Sequence, residues 1–488
     1  MRLSYLFNSV SLILIYMGFV VFLPIIVALV YQDYNSAIPF VFAGVISCLL
    51  GLFCKLIVNK FFPEQNMSDI RKSEGLATVL LSWLVFSIVA SIPYLFFGFG
   101  TINSLFEGIS GVTTTGATIL THFDYPKALF FWRSLSQWIG GMGIIILFIA
   151  VLPQFAVAGR QMFFAEAPGP TEDKLTPRIK NTASALWGLY IVLTLVQIGL
   201  LTYFKMPLFD AICTSFSTIS SGGFSSNPQS IMGYNSLSIN WVVILFMFFS
   251  GCNLALIYRV ITKFRYNTML KNEEFKTYLG LIVFVSLAIF GLLFLNNHQF
   301  SFKMFTDCVF TVLSTMTSTG FVSCDYSSWA ISAQVLLLVV ILFGSSAGST
   351  GGGIKIVRAL IVFKYLKREL VKLLHPNAVV TIKMNNMTVT PDIISQIIAF
   401  VMFYLAIFFI SGLCVSIIEN NFVVGFAGSM STLSILGVSF GHVIGASGSY
   451  EALSPLTKII FMFNMIVGRL ELIPFLILLN KDFWTIKK

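Results

Sequence analysis

The stretch "GVTTTGAT", Gly111–Thr118, places four threonines and two glycines inside a chain that is 57% hydrophobic. Three other stretches repeat the interruption. "NSLFEGISGVTTTGA" (Asn103–Ala117), "DAICTSFSTISSGGF" (Asp210–Phe224), "DCVFTVLSTMTSTGF" (Asp307–Phe321) and "VGFAGSMSTLSILGV" (Val424–Val438) align on Gly116, Gly223, Gly320 and Gly437. Thirteen residues before those glycines stand Asn103, Asp210, Asp307 and, in the fourth copy, Val424. Asn and Asp side chains satisfy free N–H groups at helix starts, so the spacing predicts three N-caps and an uncapped fourth helix. The interval from cap to glycine is too short to span a membrane. It predicts a half-length helix followed by a chain that turns back.

The rest of the chain supports a membrane setting. Of 488 residues only 10% are charged, mean hydropathy is +0.89 and 50 are phenylalanine; a soluble domain carries about 25% charge. Leu6–Val30, Leu76–Phe97, Ala185–Phe204, Leu279–Leu295 and Ile393–Ile417 match the roughly 20 apolar residues that cross a bilayer. The first reads as a retained helix, because no small-residue cleavage site follows it. With ten crossings and a cytoplasmic N-terminus, 24 of the 30 Lys/Arg fall in terminal or cytoplasmic segments. That asymmetry follows the positive-inside rule and places both termini in the cytoplasm. It also assigns the +10 net charge to topology, not to nucleic acid. Seven scattered cysteines and four unrelated histidines form no zinc pattern.

The expected fold is all-α and polytopic, with four pseudo-repeats of helix, pore helix, filter loop and helix around a central pore. Two N-terminal transmembrane helices occupy residues 1–70. The units then run 71–160, 161–265 (which includes the linker Glu166–Asn181), 266–375 and 376–488. Their second helices are read as Ala128–Leu152, Ile239–Ile261, Trp329–Phe363 and Lys458–Leu479.

Unpaired backbone at membrane depth is tolerated where it lines a wet cavity or is buried in protein. Four such loops point to one shared cavity, where converging carbonyls can replace an ion's hydration shell. The expected K⁺ filter is Thr114, Thr115 and Gly116; Ser221, Gly222 and Gly223; Ser318, Thr319 and Gly320; Ile435, Leu436 and Gly437. Pore-helix C-terminal dipoles favour a cation there. Close helix packing explains any single loop equally well, but four in register favour the pore. Gly140 and Gly143 of "WIGGMG" read as packing contacts only.

Two further anomalies lie deeper. Trp329–Phe363 is 35 residues long, about 52 Å as one helix, and is interrupted by "GSSAGSTGGG". A break there is expected, with Gly344, Gly348, Ser349, Gly351, Gly352 and Gly353 as a candidate gate. Arg469, halfway along the last apolar segment, requires a cavity or a partner; it reads as a barrier below the filter, the alternative being an ion pair with Glu471 of a second subunit. Asp124, Asp325, Glu419 and Glu451 read as solvated loop charges. No convergent catalytic constellation is visible, and "GSTGGGIK" lacks the spacing and preceding strand of a phosphate loop. The chain is therefore not read as an enzyme. A Na⁺- or H⁺-coupled symporter is the nearest rival, with Glu107, Asp210, Asp307 and Glu471 as its candidate carboxylates, and a less selective K⁺/Na⁺ pathway is another.

"TTTGAT", "WRSLSQWIGGMGIIIL", "APGPTEDKLTPRIKNTA", "GSTGGGIKIVR" and "GRLE" together resemble the Trk/Ktr/HKT cation transporter superfamily, specifically its bacterial TrkH branch. The resemblance covers nearly the whole chain. It implies a K⁺-conducting, multi-pass subunit of the bacterial cytoplasmic (inner) membrane, usually a homodimer surrounded by lipid. Rb⁺ should pass readily and Na⁺ weakly. It also implies a cytoplasmic TrkA-like regulator carrying ATP/ADP or NAD(H), with no cofactor in this chain. The family's filter glycines fall on Gly116, Gly223, Gly320 and Gly437, and its loop and pore arginine on Gly344–Gly353 and Arg469. The fourth filter, "SILGVSFG", departs from the branch by lacking an Asn-rich, Pro-containing pattern.

Overall fold

The computed structural model describes residues 3–61, 72–150, 175–263, 266–297, 300–385, 387–441, 443–445 and 448–470. Helices dominate these residues, with one antiparallel hairpin pairing Lys383–Met384 with Met387–Thr388. Among them six helices are long and apolar enough to cross a membrane: Leu6–Val30, Tyr34–Phe61, Ala77–Phe96, Ala183–Tyr203, Glu273–Asn296 and Pro391–Glu419. The first is interrupted at Phe22, between Leu3–Val21 and Leu23–Val30, because Pro24 has no N–H to continue the ladder. The linker is shorter than expected. Leu175–Asn181 already belongs to helix Leu175–Tyr203, and Glu166–Lys174 lies outside the described residues.

Polarity is inverted relative to a water-soluble protein. Phe53, Leu195, Phe284, Leu295 and Ile410 are exposed on the periphery, while Ser104, Thr115, Ser217, Thr319, Ser345 and Thr432 are fully buried at the centre.

Four short helices hold that centre: Thr101–Val112, Leu208–Ile219, Phe302–Met316 and Phe422–Leu433. Twelve to fifteen residues at 1.5 Å each give roughly 18–23 Å, short of a hydrocarbon core of about 30 Å. Their half length was legible in the sequence, but their starts were not. The N-cap residues are Gly100, Pro207, Ser301 and Asn421, and of these only Asn421 bonds through its side chain, accepting from Val423 N and Val424 N at 3.0 and 3.2 Å. The capping expectation is thus reversed. Asn103, Asp210 and Asp307 lie inside the helices because their oxygens have other partners. Asp210 accepts from Ser226 at 2.7 Å, Asp307 from Ser323 at 2.9 Å, and Asn103 from Lys458 Nζ at 2.8 Å.

The break expected within Trp329–Phe363 is present, between Ile331–Phe343 and Ile356–Leu374. A second break was not expected. The segment read as one helix over Ile239–Ile261 is two, Leu237–Gly251 and Leu254–Lys263, and the pair bends by 103°. Asn253 caps the second piece through Ala255 N and Leu256 N, and Gly251 O accepts from Ser346 N. The corner exists to meet the other break.

Candidate functional site

Each short helix ends in the same turn. Thr114, Ser221, Ser318 and Ile435 adopt left-handed φ values of +58°, +55°, +54° and +61°. The N–H groups of Thr115, Gly222, Thr319 and Leu436 reach back to the carbonyls of Ser110, Ser217, Ser314 and Ser431 at 2.7–2.9 Å. Those of Thr114, Ser221, Ser318 and Ile435 reach Gly111, Thr218, Thr315 and Thr432 at 3.0–3.3 Å. This is the paired C-terminal bonding of a Schellman motif, built here without glycine at its left-handed position. For Ile435, β-branched, the conformation costs about 1–2 kcal/mol. The copy whose sequence departs most still makes the turn.

Two residues on, Gly116, Gly223, Gly320 and Gly437 have φ of +80°, +77°, +81° and +77°, a region glycine enters at little cost. A serine six residues before the glycine ties down the exit of three loops: Ser110 Oγ donates to Ala117 O, Ser314 Oγ to Phe321 O and Ser431 Oγ to Val438 O, at 2.6–2.9 Å.

The loops close on one another. A Cβ added at Gly116 would lie under 3.0 Å from Gly222 O; at Gly223, from Thr319 O; at Gly320, from Leu436 O; and at Gly437, from Thr115 O. Each glycine therefore abuts the carbonyl just before the next glycine, in cyclic order, and the fourth returns to the first. Of the twelve residues named from sequence, Thr115, Gly116, Gly222, Gly223, Thr319, Gly320, Leu436 and Gly437 make these contacts, and Thr114, Ser221, Ser318 and Ile435 form the turns that lead into them.

Gly344–Gly353 lies against this ring on the side where the short helices end. Gly352 N donates to Ser318 Oγ at 2.6 Å, and Thr350 Oγ1 to Ile219 O at 3.1 Å, with Ser221 Oγ 2.9 Å away. A Cβ at Gly351 would meet Thr317 O, and one at Gly352 would meet Ser434 O. Ser349 bonds Ser345 within the loop, and Gly344 packs on Gly353. Arg469, 2% exposed, donates from Nη1 to Thr350 O at 2.8 Å and from Nη2 to Gly140 O at 3.1 Å. It joins the loop to helix Lys127–Ala150. Glu471 lies outside the described residues.

Sequence reasoning missed several residues at this site. Thr350 is the loop's main anchor. Gly141, close to Ser220, is tightly packed, whereas Gly143 meets only Trp83 at an ordinary 3.4 Å. Gly140 is the packing contact expected, close to Val112 O. Glu107 was considered only as a proton carrier; it is paired with Arg133 at 2.8 Å, both buried. Arg133 also donates to Thr118 Oγ1 at 2.9 Å and Ser225 O at 3.2 Å, and stacks 4.0 Å from the Phe224 ring centroid. It therefore clasps the first two loops above the ring. Removing one partner of a buried pair costs about 3–5 kcal/mol. Arg133→Ala should accordingly lower the thermal unfolding midpoint of the detergent-solubilised protein, and adding Glu107→Leu should restore part of it.

Among the described residues no cluster of three or more His, Cys, Asp or Glu could hold a metal. The ring and loop are built of backbone oxygens, hydroxyls and one guanidinium. The family model described as "TrkH: Cation transport protein" matches residues 51–297 and 301–484. This chain belongs to the TrkH family. It is 34% identical to the Trk system potassium uptake protein TrkH of Salmonella typhimurium, over 97% of this chain and 98% of that one. Trk system potassium uptake protein TrkG of Escherichia coli is 32% identical over 94% of each. The crystal structure of the potassium transporter TrkH from Vibrio parahaemolyticus superposes with a TM-score of 0.90 at 31% identity, covering 99% of this chain and 100% of that one. The TrkH-family chain described here is accordingly an all-α integral membrane protein.

Proposed function

We propose that this protein carries K⁺ into the cell through the glycine-loop ring. The single observation behind the reading is the cyclic contact of Gly116, Gly223, Gly320 and Gly437 with neighbouring carbonyls. The carbonyls of Thr114–Gly116, Ser221–Gly223, Ser318–Gly320 and Ile435–Gly437 form the filter, and the four units read from the sequence surround it. Replacing a hydration shell with backbone dipoles needs no titrating group. Of the four carboxylates a coupled symporter would use, Glu107, Asp210 and Asp307 are already engaged by Arg133, Ser226 and Ser323, and Glu471 lies outside the described residues. Gly344–Gly353 and Arg469 form the gate.

The resemblance to relatives named for potassium uptake supplies the ion. On the same ground the working form is a homodimer in the bacterial inner membrane with both termini cytoplasmic. A TrkA-like cytoplasmic subunit, binding ATP/ADP or NAD(H), would set the gate. The test is ⁸⁶Rb⁺ flux in proteoliposomes. Flux that reverses with the K⁺ gradient and ignores an imposed ΔpH is expected. Uptake driven uphill by ΔpH or Na⁺ would replace the pore with a coupled carrier.

A further inference from the structure

The four ring carbonyls are not equivalent. Among the described residues, those of Thr115, Thr319 and Leu436 take no side-chain donor, whereas Gly222 O accepts from Gln137 Nε2 at 2.6 Å. Gln137 Oε1 in turn accepts from Phe224 N at 3.2 Å. One fully buried amide thus holds the peptides on both sides of Gly223. Gln137 belongs to Lys127–Ala150, which follows the first loop, so the second loop is braced by a neighbouring unit.

The brace has room because residue 222 is glycine. A Cβ there would overlap the Gln137 amide. Where Gly222 stands, the first and third loops carry Thr115 and Thr319. Their hydroxyls pair with those of Thr113 and Thr317 at 2.8 and 2.7 Å. Two quadrants are therefore stiffened from within by a Thr-x-Thr pair. The second has Ser220, no partner hydroxyl at 222, and the amide instead.

We propose that Gln137 is a positioning residue that sets ion selectivity, fixing the Gly222 carbonyl so that the second quadrant keeps the spacing of the threonine-braced ones. Gly222–Gly223 is the most permissive dipeptide in the ring, and unbraced it can relax onto a smaller cation. Selectivity by a carbonyl ring depends on the spacing and rigidity of its dipoles. A neutral amide suits the task because it offers one donor and one acceptor at opposite ends of a plane. Glutamate in its place offers acceptors only and faces the Gly222 oxygen with another oxygen.

The inference rests on the filter reading, and the test separates the two. Gln137→Leu, Gln137→Glu, Gly222→Thr and the double variant Gln137→Ala/Gly222→Thr are reconstituted and assayed for ⁸⁶Rb⁺ uptake against competing Na⁺, beside wild type and Gly116→Ser. Gln137→Leu should reduce the K⁺/Na⁺ preference about tenfold, the effect of one ordinary hydrogen bond lost, and Gln137→Glu should reduce it further. Gly222→Thr alone should cut uptake by steric overlap. In the double variant the introduced threonine can pair with Ser220, and preference should return toward wild type. A purely structural glutamine would lower protein yield or thermal stability and leave the ion ratio untouched. Unchanged ratios in both single Gln137 variants, or a double variant no better than Gln137→Leu, overturn the proposal. If Gly116→Ser also keeps the wild-type ratio, the filter itself is misassigned; if Gly116→Ser loses it, only the role of Gln137 falls.

Discussion

Gly116→Ser and Gly320→Ser should each abolish K⁺ preference while leaving the protein in the membrane. At Gly116 the new Cβ would lie under 3.0 Å from Gly222 O, and at Gly320 from Leu436 O. Neither oxygen is the end of a flexible side chain, so the backbone must move. The left-handed φ near +80° adds its own penalty, about 1–3 kcal/mol for a non-glycine residue. Overpacking a tight contact costs about another 1–3 kcal/mol. Together these exceed the roughly 1.4 kcal/mol that separates a tenfold difference in ion preference. The expected result is a K⁺/Na⁺ ratio near one, with uptake at low K⁺ reduced by roughly two orders of magnitude. Wild-type ratios in both variants would remove the filter assignment. The damage should stay local, because both loops are held at the entry by helix-terminal bonds and at the exit by the hydroxyls of Ser110 and Ser314.

Arg469→Ala should do the reverse and raise flux. The guanidinium makes two bonds, to Thr350 O and Gly140 O, that tie the irregular loop to a neighbouring helix. A hydrogen bond from a charged donor is worth about 1.5–3 kcal/mol, so losing the bond to Thr350 shifts a closed loop toward release roughly 10- to 100-fold. Deleting a buried positive charge beside the proposed cation path should also remove a repulsive barrier. ⁸⁶Rb⁺ flux through protein reconstituted without any regulatory subunit is therefore expected to rise at least tenfold. Arg469→Lys, which keeps the charge but cannot span both carbonyls, should fall between. Basal flux unchanged in Arg469→Ala would assign the residue to packing and leave the proposed gate to the loop alone.

These two expectations differ in how much the sequence could support them. Four glycines preceded by hydroxyl-rich, half-length helices were recognisable because the C-terminal turn is local: every bond that shapes it lies within six residues. That is why Gly116, Gly223, Gly320 and Gly437 aligned, and why the unusual fourth copy still adopts the same φ pattern with Ile435 in the left-handed region. The break near Gly344 was legible for a similar reason, since 35 residues cannot remain one helix across about 30 Å of hydrocarbon. The helix starts were misread. Asn and Asp near a helix N-terminus look the same in sequence whether they cap the backbone or bond elsewhere, and Asp210 and Asp307 are claimed by Ser226 and Ser323 instead. The corner at Cys252 was missed because one glycine in an apolar run rarely breaks a helix. Its cause is a loop nearly a hundred residues away, whose Ser346 N bonds Gly251 O.

By itself the sequence determined that the chain is a polytopic helical membrane protein, and it picked out the four glycines, Gly116, Gly223, Gly320 and Gly437, that follow the short helices. Hydropathy and short-range backbone bonding suffice for that, because both act over spans readable in one dimension. Only the tertiary structure decided that the interruptions close into a ring, that Arg469 grips Thr350 while Arg133 grips Glu107, and that Gln137 reaches the second loop from the helix after the first. Those contacts join residues tens to hundreds of positions apart, and in a low-dielectric interior a polar side chain takes whichever partner the fold brings within reach.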